Sequence, residues 1–291
     1  MKLLVLGGNG MAGHMISLYF QERDYDVTAF TLSPFKYVKN IVGNALDKSY
    51  MESLFHRNHY DVVINCIGLL NTDCDKKRAD SVYLNSYLPH FIAQQLSDSD
   101  SKLIHMSTDC VFSGKAGNYT EKSFRDGESF YDRTKALGEV EDDKNLTFRN
   151  SIIGPDMNSD GIGLFNWFMK QNGQIYGYSN AFWTGVTTLT LAKAMESAII
   201  QDLSGLYNLV NNTKISKYDL LQLFNKHMRN NEICIEPSEK VKVDKSLIST
   251  RKDFHFKVPD YETMIVEMAE WIGDHKDLYP HYFKKGGICQ N

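Results

Sequence analysis

A doubly wound parallel α/β sheet with a smaller α/β lobe beside it is the fold class this 291-residue sequence predicts. Three observations carry the prediction. A short apolar run, Lys2 to Leu6, ends in a glycine turn, and apolar residues at helical spacing follow (Met11, Met15, Leu18, Tyr19). Strand and helix patterns then alternate as far as Arg149, which is the rhythm of βαβ units. From Asn150 the texture becomes glycine-rich and aromatic (Phe165, Trp167, Phe168, Tyr176, Tyr178), with helical patterns at Leu189 to Ile200, Lys217 to Met228 and Tyr261 to Trp271.

The first strand and its turn place glycines at Gly7, Gly10 and Gly13, directly before a helix. Glycine lets the backbone turn sharply and approach a pyrophosphate resting on the helix N-terminus. Residues 1–150 are therefore expected to form a dinucleotide-binding Rossmann domain. Residues 151–291 are expected to be mainly a substrate-binding lobe, with some return to the Rossmann sheet. Gly7, Asn9, Gly10, Met11 and Gly13 are the expected phosphate-side contacts. The second strand, Asp26 to Thr31, leads into Leu32-Ser33-Pro34-Phe35-Lys36 without a carboxylate. An acid there would bind a free ribose 2′-hydroxyl and select NAD. Its absence, with Thr31, Ser33 and Lys36 near that corner, makes NADP (as NADPH) the expected cofactor, with NAD the alternative.

Asp47 precedes the helix Lys48 to His59; it caps that helix, or hydrogen-bonds an adenine amino group, and the two roles are compatible. The buried strand Asp61 to Cys66 runs into Cys66-Ile67-Gly68, where main chain and a small residue let a cofactor lie close. A helix from about Ala79 to Leu96 turns Asn85 inward, as a structural hydrogen-bonder or a holder of a catalytic water.

The next strand, Leu103 to Ser107, leads through Thr108-Asp109-Cys110-Val111-Phe112-Ser113-Gly114 to a helix opening at Tyr131-Asp132-Arg133-Thr134-Lys135. Residues four apart share a helix face, so Tyr131 and Lys135 point into one cavity, with a strand-end hydroxyl (Ser107 or Thr108) opposite. An ammonium beside a phenol favours the phenolate, and such a pair can exchange a proton with a substrate oxygen near neutral pH. The chemistry expected is that of an oxidoreductase. Of 16 tyrosines only Tyr131 has lysine four places later.

Composition excludes other classes. A net charge of −4 without a basic run gives no support for nucleic-acid binding. The five cysteines (Cys66, Cys74, Cys110, Cys234, Cys289) are scattered and odd in number, which fits a reducing compartment. No apolar run approaches the roughly 18 residues of a membrane helix, and the first strand begins at Lys2, so the expectation is a cytoplasmic protein with no membrane partner. The nine histidines form no ligand cluster, so no metal is expected.

These residues resemble the extended short-chain dehydrogenase/reductases along almost the full chain, and within them the dTDP-4-dehydrorhamnose reductases. The resemblance rests on Gly7-x-x-Gly10-x-x-Gly13, Asn65-x-x-Gly68, Leu84-Asn85, Ser107 to Gly114, Tyr119-x-Glu121 and Tyr131-x-x-x-Lys135-x-x-x-Glu139. It implies NADPH-dependent reduction of the 4-keto group of a nucleotide-linked 6-deoxyhexose for surface polysaccharide. By that resemblance Tyr131 protonates the sugar O4, Lys135 hydrogen-bonds the nicotinamide ribose and lowers the Tyr131 pKa, and Thr108 orients the carbonyl. Asp109, Cys110, Trp183 and Arg251 are then the substrate-facing candidates, with Trp183 a displaced stacking platform or else a core aromatic, and Arg251 a partner of the diphosphate or else part of a solvated charged face. In the related dehydratases a glutamate follows the Thr-Asp pair; Cys110 stands there, which leaves elimination without its acid–base partner. The family's Arg-Thr-Ser-Trp run is here Arg149-Asn150-Ser151-Ile152, without the sugar-packing tryptophan. Alternatives are the same reduction on a UDP-linked 2-acetamido-2,6-dideoxy-4-hexulose, a non-catalytic NADP-binding regulatory subunit, and an epimerase retaining NAD. A homodimer is compatible with all of them.

Overall fold

The computed structural model describes residues 1–283; Cys289 and the rest of the chain's end lie outside the described residues. Seven strands form one all-parallel sheet: β1 (Lys2–Leu6), β2 (Asp26–Thr31), β3 (Lys39–Val42), β4 (Val62–Asn65), β5 (Lys102–Thr108), β6 (Leu146–Asn150) and β7 (Gly205–Asn208). Their order is β7-β6-β5-β4-β1-β2-β3, with the chain reversing direction across the sheet between β1 and β4. That reversal is the switch point at which open α/β sheets bind ligands, outside the strand C-termini.

The inner strands are buried on both faces, and side-chain alternation sorts their residues between them, while the edge strand β3 is partly exposed. Leu3, Val5, Val27, Ala29, Ile104 and Phe148 join one cluster with α1 (Met11–Gln21). Leu4, Leu6, Val63 and Leu103 join the other, with α2 (Lys48–Arg57) and α3 (Leu88–Gln95). The expected helix over 79–96 is present as three joined pieces, Arg78–Ser81, a π-turn at Val82–Tyr87, and α3. Helix α4 (Phe130–Leu137) is fixed at its start by a reciprocal capping box between Ser129 and Asp132.

The second half interlocks with the first. Helix α5 (Thr188–Ile200) packs on α1, and β7 pairs in parallel with β6, Leu206 opposite Thr147. The apolar cluster on that face runs unbroken into α6 (Lys217–Met228) and α7 (Tyr261–Asp274). The lobe proper holds a three-stranded sheet of Ile215–Ser216, Ala181–Trp183 and Val243–Asp244, and a parallel pair of Gln174–Tyr178 with Cys234–Ser238. Among the described residues no helix is long and apolar enough to cross a membrane.

Candidate active site

The glycine turn is shaped by close approach. Gly7 has φ +78°, a region open to glycine, and a Cβ on Gly13 would lie 2.1 Å from the Gly7 carbonyl oxygen. Gly10 is different: a Cβ there would meet Gly7 O at 3.4 Å, an ordinary contact, so the protein's own packing does not require a bare backbone. Gly10 caps α1 with no side-chain hydrogen bond, which leaves the helix's first amides aimed outward as an anion site. His14 braces the turn from behind. Its Nδ1 lies 3.0 Å from Gly10 O and its Nε2 2.8 Å from the Tyr279 hydroxyl, and burial pushes its pKa down to about 4. Sequence reasoning missed His14, because its partner is 265 residues away. Met11 reaches the second lobe, where a Cβ on Gly163 would lie 3.1 Å from its Sδ.

At the ribose corner Asn9 Nδ2 donates to Ser33 Oγ (2.9 Å), which ties the glycine turn to the end of β2. Ser33 is exposed beside it, as is Lys36, and the stretch Leu32 to Lys36 carries no carboxylate. These features fit a dinucleotide with a phosphorylated ribose. Thr31 is a correction. It is buried, donates to Ser33 O (2.7 Å) and accepts from Asn40 Nδ2 (2.7 Å), so its hydroxyl shapes the corner and faces no ligand. Asp47 caps α2 by accepting from Tyr50 N at 3.0 Å and remains exposed. Cys66 and Ile67 lie against Gly7, and Gly68 is exposed at the mouth. Burial pushes the Cys66 thiol up to about 12.

Asn85, also a candidate cofactor contact, takes the structural role of the two expected. Its Oδ1 accepts from Leu69 N (2.8 Å), and its Nδ2 donates to Leu69 O (3.0 Å) and Thr134 Oγ1 (3.1 Å). The amide ties the Gly68–Leu69 loop to α4. The turn carrying Asn85 also receives Gly138, where any Cβ would collide with Asn85 O at 1.9 Å.

Tyr131 lies close enough to Thr108, at the end of β5, for the threonine hydroxyl to act on its phenol. Thr108 Oγ1 also donates to Asp109 Oδ1 (3.2 Å) and accepts from Cys110 N (3.2 Å). Ser107, one residue earlier and so on the opposite face, donates to Glu139 (2.6 Å). Lys135 is buried with Nζ donating to Met106 O at 2.7 Å. Burial lowers its pKa from 10.5 to about 8, against the raising charge of Glu139.

The expected acidic phenol is not what the structure holds. Burial raises the Tyr131 pKa well above 10, the neighbouring Cys110 and Asp109 add to that, and the Thr108 hydroxyl only partly opposes it. Lys135 is itself engaged by the Met106 carbonyl. Tyr131 is therefore a protonated donor at neutral pH.

Glu139 anchors this helix from below. Arg149 donates to it twice (2.8 and 2.7 Å), and Arg125 and Ser107 also bond to it. Both members of the Glu139–Arg149 pair are 0–1% exposed. Glu121 accepts from Asn208 N, Thr250 N and the Thr250 hydroxyl, and Tyr119 stacks on Phe112 with centroids 4.2 Å apart. That part of the motif is scaffolding between the lobes.

Of the substrate-side residues, Asp109 and Cys110 stand at the site beside Thr108. Burial raises the Asp109 pKa against the charges of Lys217 and Lys245, while burial and Asp109 push Cys110 up to about 12. Lys217, from the start of α6, lies 5.2 Å from the Trp183 ring and was not singled out by the sequence. Trp183 is a correction to the substrate-facing assignment: its ring packs on Tyr261 (5.8 Å) and against Lys217 (5.2 Å), as a core aromatic. Arg251 is another. It is paired with Asp253 and donates to Ser204 O (2.5 Å) and Leu206 O (3.1 Å), where β7 begins. In a parallel sheet that is the edge opposite Thr108, so Arg251 cannot reach a substrate there. Among the described residues no cluster of three or more His, Cys, Asp or Glu is placed to hold a metal.

A switch-point glycine turn, a strand-end threonine and a helix carrying Tyr131 and Lys135 stand together at the C-terminal edge of a doubly wound α/β sheet. The chain belongs to the family described as RmlD substrate binding domain, whose family model matches residues 1–269. It is 29% identical over 140 residues to the spore coat polysaccharide biosynthesis protein SpsK of Bacillus subtilis, covering 47% of each chain. It is 26% identical over 144 residues to the dTDP-4-dehydrorhamnose reductase of Mycobacterium tuberculosis, covering 47% of this chain and 44% of the other. The chain thus spans about half the length of the curated relatives it matches. Its fold is that of dTDP-4-dehydrorhamnose reductase structures. One is a hypothetical enzyme from Sulfolobus tokodaii, with TM-score 0.76, 21% identity, and 90% of this chain and 98% of that one covered. Another is the Bacillus anthracis protein in complex with NADP, with TM-score 0.76, 17% identity, and 92% and 98% covered.

Proposed function

We propose that the chain reduces the 4-keto group of a nucleotide-linked 4-keto-6-deoxyhexose with NADPH, in the making of polysaccharide sugars. The observation that carries this reading is Tyr131 beside Thr108 at the end of β5, with Lys135 buried one turn further along the same helix.

The nicotinamide, when bound, supplies a hydride to the carbonyl carbon. The chain's residues do the rest. The amides at the start of α1 and the bare backbone of Gly10 hold the pyrophosphate, and Ser33 and Lys36 flank the ribose phosphate. The Thr108 hydroxyl fixes the carbonyl oxygen. Tyr131, kept protonated by burial, hands its proton to that oxygen as negative charge develops there. The ammonium of Lys135 then favours the phenolate left behind, which is where the sequence expectation of a Tyr–Lys couple applies. Cys110, with its thiol held neutral by burial, supplies no carboxylate for eliminating water.

The test is NADPH oxidation followed at 340 nm (the absorbance of the reduced ring) against dTDP- and UDP-linked 4-keto sugars, including a UDP-2-acetamido-2,6-dideoxy-4-hexulose. Turnover with a dTDP sugar supports the proposal, and turnover confined to the acetamido sugar moves it to that substrate. Cofactor binding without turnover of any sugar would replace it with a regulatory, non-catalytic role.

A further inference from the structure

Asn150 ends β6, directly beside Thr108 in the parallel register of β5 and β6. Leu146 and Phe148 alternate with it onto one sheet face, as Ile104 and Met106 do with Thr108, so the two side chains leave the same face at the same edge. Asn150 is 2% exposed, and both its Oδ1 and Nδ2 are buried with no hydrogen-bond partner among the described residues. The other buried asparagines (Asn65, Asn85, Asn145, Asn166, Asn208, Asn225) each use both ends of the amide. Leaving one amide doubly unpaired in the interior is unfavourable unless something else satisfies it. Nothing in the strand requires an asparagine, since a β-branched residue fits such a position better.

We propose that the Asn150 side chain pairs with the carboxamide of the nicotinamide. The inference rests on the dinucleotide reading above. A primary amide presents one acceptor and one donor side by side, and its complement is another primary amide, joined by two reciprocal N–H···O bonds. The residue stands on the strand next to Thr108, at the edge where Tyr131 and Lys135 converge. Pairing there would fix which face of the ring is turned toward the carbonyl that Thr108 holds, so Asn150 is a positioning residue.

The experiment is calorimetric titration of the full chain with NADP⁺, with its 3-acetylpyridine analogue (a methyl ketone in place of the carboxamide) and with 2′,5′-ADP, which lacks the ring. The proteins are wild type and Asn150→Leu. Wild type should prefer NADP⁺ to the acetylpyridine analogue by about tenfold, the value of one N–H···O bond whose partner is otherwise left unmade. In Asn150→Leu that preference should collapse to about twofold or less, with 2′,5′-ADP affinity unchanged. If the leucine variant does not fold, Asn150→Thr reads the same ratio. The proposal is overturned if the preference survives in the variant or is missing in wild type. It is equally overturned if the only change is a raised KM for the sugar or a lowered Tm. Wild type that binds none of the three ligands would overturn the dinucleotide reading itself, whereas normal binding with an unchanged ratio removes Asn150 alone.

Discussion

Replacing Lys135 with methionine should make the fold more stable and the protein inactive. Lys135 is buried, and its pKa falls from 10.5 to about 8 because the interior disfavours its charge. At ~1.4 kcal/mol per tenfold, keeping the ammonium charged at pH 7 costs the fold roughly 3 kcal/mol. Methionine of similar length removes that cost. It also removes the donor to the Met106 carbonyl, a loss of about 1–2 kcal/mol. The net expectation is a gain of about 1–2 kcal/mol, read by urea denaturation at pH 7. The sign has a pH signature. Between about 8 and 10.5 the folded wild type binds fewer protons than its unfolded chain, so wild-type stability rises with pH across that window. The variant has no such rise, and the gap between the two should close toward pH 10. Turnover of NADPH with the best sugar of the panel should fall by at least ~100-fold, the lower range for losing an acid–base group. A variant less stable than wild type at pH 7, or a gap indifferent to pH, would show that Lys135 holds the fold together and that the reasoning from its burial is wrong.

Tyr131→Phe should cut turnover by roughly 10²–10⁴-fold while calorimetry still finds dinucleotide binding; near-normal turnover removes Tyr131 from the mechanism. Glu139→Gln breaks a buried ion pair on one side and should cost about 3 kcal/mol in denaturant unfolding. Arg149 and Arg125 outweigh burial and hold the Glu139 pKa below 4.5, so its contribution is fully present above pH 4.5 and lost as pH falls through the folded value. The deficit of the glutamine variant should therefore shrink in acid; a deficit constant down to pH 3 contradicts the pairing. NADPH should bind more tightly than NADH, since the end of β2 offers Ser33 and Lys36 and no carboxylate. A calorimetric preference for NADH refutes the cofactor assignment.

Local signals carried most of the architecture. The glycine spacing, the strand–helix alternation and the three long helices of the second half lie in continuous stretches, and the structure places them within a few residues of the sequence reading. What escaped was non-local. Some return of the second half to the main sheet was expected, but nothing in the run Leu206 to Val210, which reads as a short strand, says that Gly205–Asn208 pairs beside Leu146–Arg149. The π-turn at Val82–Tyr87 keeps the apolar rhythm of a helix and is silent for that reason.

The same division explains the site. The placement of Tyr131, Lys135 and Thr108 was legible because four-residue helical spacing and a strand end are local geometry. Thr31, Asn85, Trp183 and Arg251 carry groups that could serve a ligand, and in each case tertiary packing had already assigned the group a partner in the protein: Ser33 and Asn40, Leu69 and Thr134, Tyr261, and the start of β7. The pKa of Tyr131 follows the same logic. Adjacency to a lysine suggests an acidic phenol, but an ammonium bound to the Met106 carbonyl in the interior does not outweigh the desolvation of the phenol. For a reductase the direction found is the useful one. The group must hold its proton until charge appears on the substrate oxygen, and a phenol already ionised at neutral pH would have nothing to give.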